Sequence, residues 1–116
     1  MNTDREQVLF LIRDLIEART GESLNQFVRN HSALQRYYIG LYHVVTTNKA
    51  ICEALMIPVE AGTRYKAELE RRGQLVASTV EFECPYTGEM AHLLSTNPKE
   101  FDSLKKSDDT QLKLFE

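Results

Sequence analysis

At 116 residues, 42% hydrophobic and 27% charged, the chain has the size and composition of one ordinary globular domain and is too short for two. No apolar run approaches the roughly 20 residues that span a bilayer, and the start MNTDREQ lacks the basic-then-apolar pattern of a secretory signal, so a cytoplasmic protein without membrane contact is expected. Two cysteines are too few for a disulfide framework, and a net charge of −3 argues against bulk attraction to nucleic acid.

The first helix is marked by the capping-box spacing of Thr3 and Glu6 and by a stripe of Val8, Leu9, Ile12, Leu15 and Ile16, before Thr20-Gly21 ends it. Phe10 and Leu11 fall off that stripe. The helix is therefore buried on two sides or meets a second subunit, which makes residues 1–32 a possible dimerisation element and a homodimer an expectation. Ser23 with Gln26 and Ser32 with Gln35 have the spacing of two further helix starts, separated by a break at Asn30-His31. Leu34, Tyr37, Tyr38, Leu41, Val44 and Val45 form the apolar face of a helix from about residue 33 to 45, with Arg36 and Tyr42 pointing to water.

Thr47 offers an N-cap for a helix from Asn48 to Met56 that turns Ala50, Ile51, Ala54 and Leu55 inward. Pro58 suits a first turn, so the next helix begins there and runs to Arg72, with Gly73 as its left-handed stop. After Gly73 the period changes to two. Val80, Phe82 and Cys84 alternate with Thr79, Glu81 and Glu83, Pro85-Tyr86-Thr87-Gly88 is a turn, and Glu89 to Ser95 returns as the partner strand. Asn97-Pro98 starts a short helix through Phe101 and Leu104, and a charged tail follows. The expected fold class is thus mainly α with a small β-hairpin.

Charge is unevenly distributed. Residues 1–28 carry three basic and five acidic side chains and residues 75–116 carry four and eight, whereas residues 29–74 carry seven and four. A basic middle between acidic ends gives one surface an attractive field for phosphate. No glycine-rich phosphate loop, no metal-ligand spacing among His31, His43, His92 and the cysteines, and no nucleophile motif is present. The expectation is a binding protein with no cofactor and no metal rather than an enzyme.

The phrase Asn48-Lys49-Ala50-Ile51-Cys52-Glu53-Ala54-Leu55, then Ile57-Pro58-Val59-Glu60, Thr63-Arg64-Tyr65 and Leu69-Glu70-Arg71-Arg72-Gly73-Gln74-Leu75, resembles the winged helix-turn-helix family of DNA-binding domains. The resemblance implies a winged helix-turn-helix domain over residues 33–104, with the helix-turn-helix at about 47–73 and a two-stranded wing at about 75–95. Double-stranded DNA is the implied partner and transcription regulation or replication accessory work the implied role. At about 100° per residue, Pro58, Ala61, Tyr65 and Leu69 face the core while Glu60, Thr63, Arg64, Ala67 and Arg71 face outward. That outward face would enter the major groove, and Thr47, Asn48 and Lys49 would lie across the phosphate backbone. The implied wing carries Glu81, Glu83 and Glu89, with no Arg or Lys between Arg72 and Lys99.

In the tail, residues 105–116, the segment Gln111-Leu112-Lys113-Leu114-Phe115 resembles the short motif by which bacterial proteins dock on the replication sliding clamp. Leu112, Leu114 and Phe115 would be apolar anchors and Gln111 the hydrogen-bonding end. A second expectation follows: an adaptor that binds replication proteins through its winged helix and tail.

Overall fold

The computed structural model of the protein describes residues 2–105, with side chains from residue 5 onward. The tail motif at Gln111, Leu112, Leu114 and Phe115 lies outside the described residues. Five helices, α1 (Asn2–Thr20), α2 (Leu24–Asn30), α3 (Ala33–His43), α4 (Asn48–Ala54) and α5 (Val59–Arg71), precede two strands, β1 (Val76–Glu83) and β2 (Met90–Ser95). A last helix occupies residues 98–105. The protein is therefore mainly helical with one antiparallel hairpin.

Local chemistry explains most boundaries. Ser23 and Ser32 each accept from the amide three residues on, while Gln26 and Gln35 reach back to the cap amide, so both capping boxes are complete. Thr47 caps α4 by accepting from the Ala50 amide. Helix α1 begins at Asn2, which puts Thr3 inside its first turn rather than at the cap. Pro58 is the N-cap of α5 rather than its first residue, and its ring is exposed instead of facing the core. Gly73, at φ +75°, ends α5 with the Gln74 amide bonded to the Leu69 carbonyl, a left-handed stop that L side chains resist.

The turn between α4 and α5 is longer than the sequence suggested, because α4 stops at Ala54 and α5 starts at Val59, and Met56 within it takes the left-handed φ of 59°. Two arginines from other helices hold it. Arg13 of α1 donates to the Ala54 carbonyl at 2.7 Å and the Glu53 carbonyl at 3.4 Å. Arg36 of α3 donates from Nε to the Leu55 carbonyl at 3.1 Å and from Nη2 to the Met56 carbonyl at 3.2 Å. Its Nη1 takes the His31 and Val28 carbonyls, so the guanidinium is committed to backbone oxygens. Arg36 was expected in water; it is 9% exposed, because carbonyls left at the end of a helix need donors.

The core is continuous. Tyr37 and Leu41 of α3, Ala50, Ile51 and Ala54 of α4, Ala61 and Leu69 of α5 and Leu94 of β2 pack with Ile12 and Ile16 of α1 and Phe27 of α2. Phe10, Leu11 and also Leu15, expected inward, are exposed on α1, and Leu34 and Val45 lie at the edge of the α3 face. Gly62 explains how α5 approaches so closely. A Cβ there would collide with Cys52 Sγ and come within 2.9 Å of Asn48 Oδ1. The strand register runs Val76↔Ser95 and Ala77↔Leu94, then resumes at Glu81↔His92, so β1 bulges over residues 78–80. The Ser78 hydroxyl fills the gap, donating to the Val80 carbonyl and accepting from the Leu93 amide. Thr46, between α3 and α4, adds one bridge to Leu94 on the other edge of β2. Its amide-to-carbonyl bond, Leu94 N to Thr46 O, measures 2.8 Å.

Candidate nucleic-acid interface

Helix α5 turns Ala61, Gly62 and Leu69 inward, and Tyr65 meets the Tyr37 ring edge-on at a centroid distance of 5.8 Å. That orientation leaves Glu60, Thr63, Arg64, Ala67 and Arg71 exposed together on the opposite side. The surface is short-chained at Thr63 and Ala67 and basic at Arg64 and Arg71, so a groove edge could approach its first two turns closely. Thr63 is not free to rotate at will: its hydroxyl donates to the Val59 carbonyl at 3.1 Å and accepts from Asn48 Nδ2 at 3.5 Å.

The three α4 positions expected over the phosphates differ from one another. Lys49 is exposed. Asn48 is half-buried; its Oδ1 accepts from the Tyr37 hydroxyl at 2.8 Å, so its side chain buttresses α5 against α3. Thr47 corrects the expectation outright. It is 1% exposed, closed in by the α4 cap and by a 2.8 Å contact between its hydroxyl and Cys84 Sγ. An N-cap hydroxyl serves its own helix, and here the hairpin covers it.

Burial, and secondarily Cys52 and Glu70, push the Tyr37 phenol well above its usual range, so it donates to Asn48 as a neutral hydroxyl. Burial with the nearby Glu53 also pushes the Cys52 thiol up to about 12. Cys84 goes the other way. Burial alone would raise it, but hydrogen bonds from the Thr47 and Thr87 hydroxyls and the Thr87 and Tyr86 amides hold it below the ordinary thiol value. The pair Thr47–Cys84 thereby fastens the hairpin turn to the start of α4.

Most cations on this surface are already paired. Lys49 Nζ lies 3.4 Å from Glu89 on the hairpin, Lys66 lies 2.9 Å from Glu70, and Glu68 takes both Arg71 and Arg72. The Arg64 side chain has no hydrogen-bond or ion-pair partner among the described residues. Glu81 and Glu83 are exposed on β1, so the hairpin presents an acidic edge. Between α4, α5 and the hairpin lies an open cleft of about 310 Å³, which Lys49, Thr63, Thr87 and Glu89 help to line. The sequence did not show that Glu89 stands at Lys49, since the two are joined only by the fold.

A second, mostly apolar groove of about 480 Å³ runs between Leu34, Tyr38 and Ile39 of α3 and Leu69 and Arg72 at the end of α5. Among the described residues no group of three His, Cys, Asp or Glu is placed to hold a metal ion, and no helix is long and apolar enough to cross a membrane. Compared with known proteins, the chain matches no family model, no curated sequence and no solved structure.

Proposed function

We propose that the protein is a winged helix-turn-helix DNA-binding protein that acts by occupying duplex sites, as a transcription regulator or a replication accessory. The observation that carries this reading is the outward face of α5, where Glu60, Thr63, Arg64, Ala67 and Arg71 are exposed together and the Arg64 side chain is uncommitted among the described residues. Helix order, the tight turn at 55–58, the following hairpin and the bridge from Thr46 to Leu94 support the same reading. Small side chains at Thr63 and Ala67 allow α5 to lie deep in the major groove. Arg64 then reaches a guanine edge or a phosphate, and Glu60 suits the amino group of cytosine. Lys49 and Arg71 flank the groove as phosphate contacts.

A fluorescence-anisotropy titration of mixed-sequence duplex at low salt tests the reading. Wild type binds at micromolar protein, and Arg64→Ala weakens binding by about tenfold, as a removed base or phosphate contact of 1–3 kcal/mol requires. Absence of binding, or an Arg64→Ala curve superimposable on wild type, removes the proposal. The acidic outer edge of the hairpin, Glu81 and Glu83, favours a second reading in which the same domain and the Gln111–Phe115 segment form an adaptor for replication proteins such as the sliding clamp. Recovery of clamp by the wild type but not by a Gln111→Ala/Phe115→Ala variant supports that reading; equal recovery ends it.

A further inference from the structure

We infer that Glu89 is a built-in phosphate surrogate: its carboxylate occupies the Lys49 ammonium at the cleft between α4, α5 and the hairpin, and a duplex phosphate must displace it to bind there. The inference rests on the DNA-binding reading and adds the seat of one phosphate and a residue that restrains affinity. Three features support it. The cleft is open, about 310 Å³, with Lys49, Thr63 and Thr87 among its polar lining residues. The ion pair at 3.4 Å joins side chains that are 54% and 72% exposed, so it is weak, water-accessible and exchangeable. Thr63 belongs to both the cleft and the outward face of α5, so a backbone passing through the cleft continues onto that face.

The energetics differ from those of an ordinary basic groove. A free lysine meets a phosphate by releasing condensed counterions, whereas Lys49 first exchanges one carboxylate for another anion. The displaced Glu89 carboxylate then stays near the phosphate and repels it. Both effects lower affinity for any duplex equally. Binding at other contacts, above all Arg64, must offset them, so Glu89 suppresses non-specific occupancy more visibly than it alters sequence choice.

A double-mutant cycle on duplex affinity tests the inference, using full-length protein with Glu89→Gln, Lys49→Gln and the double variant. Glu17→Gln on α1 serves as a control with the same change in net charge. The Glu89 backbone amide and carbonyl, which tie the turn to Thr87 and Cys84, are untouched by the substitution. Glu89→Gln is expected to tighten binding at low salt by roughly three- to tenfold, the effect of one unit charge at several ångströms in water. It is also expected to steepen the salt dependence by about one counterion. Lys49→Gln should abolish that gain. A Glu89→Gln gain no larger than that of Glu17→Gln, or a gain that persists without Lys49, overturns the inference while leaving duplex binding intact. No binding by wild type or any variant overturns the DNA-binding reading and the inference with it.

Discussion

Replacing Arg36 by methionine removes the donor that closes the turn between α4 and α5. Arg36 is 9% exposed and gives its guanidinium to the carbonyls of Leu55, Met56, His31 and Val28 at 2.8 to 3.3 Å. Methionine keeps much of the volume but donates nothing. Each buried acceptor left without a partner costs about 1–3 kcal/mol, and the Leu55 carbonyl has the most sheltered bond of the four. Against this, no carboxylate among the described residues pairs with Arg36, so losing a poorly hydrated charge returns some energy. The net expectation is a loss of about 3 kcal/mol. For a domain of this size that corresponds to a melting temperature lower by roughly 12 °C or more. Urea denaturation followed by far-ultraviolet circular dichroism measures it directly. Arg36→Lys should recover only part, because an ammonium cannot span four carbonyls in a planar fork. If Arg36→Met loses under about 1 kcal/mol, the guanidinium is not what holds the turn.

Gly62→Ala should destabilise by about 2–3 kcal/mol in the same assay, since its methyl would meet Cys52 Sγ and Asn48 Oδ1 where α5 crosses α4; wild-type stability would show that the helices part easily. The Asn30 amide first and then His31 hold the Glu22 carboxyl below its usual range. A lowered carboxyl contributes stability that is fully present above its unfolded value of 4.5 and is lost as pH falls through the folded value. Glu22→Gln should therefore lower stability near neutral pH and flatten its decline below about pH 4.5. A variant whose acid profile parallels wild type would contradict that linkage.

Much of the architecture was legible in the sequence because the signals were local. The Ser-x-x-Gln boxes at 23 and 32, the stop at Gly73, and the shift to period two beyond it all depend on neighbours within a few residues. The outward face of α5 was legible for the same reason: a 13-residue helix fixes which side chains share a side. What the sequence hid was long-range. Arg36 reads as a wet helix residue until the fold brings carbonyls from 19 and 20 residues away. Thr47 reads as an exposed helix start until the hairpin places Cys84 over its hydroxyl, and Lys49 reads as a free cation until Glu89 arrives from 40 residues away. Gly62 acquires a reason only where α5 meets Cys52 and Asn48 of α4 and Tyr37 of α3. Helical spacing named the face of the candidate site; folding decided which of its groups are free.

The most direct test of the DNA-binding account is the salt dependence of duplex affinity. Arg64 and Arg71 flank the proposed groove contact, while Lys49 is held by Glu89 and Glu68 neutralises only one of Arg71 and Arg72. Released counterions then give a log–log slope near −2 per protomer, from about 0.9 per phosphate neutralised. Anisotropy titrations across a tenfold range of salt should show affinity falling along that slope, and Arg64→Ala should make it shallower by about one. A slope near zero, or one unchanged by removing Arg64, would contradict the claim that this face binds DNA.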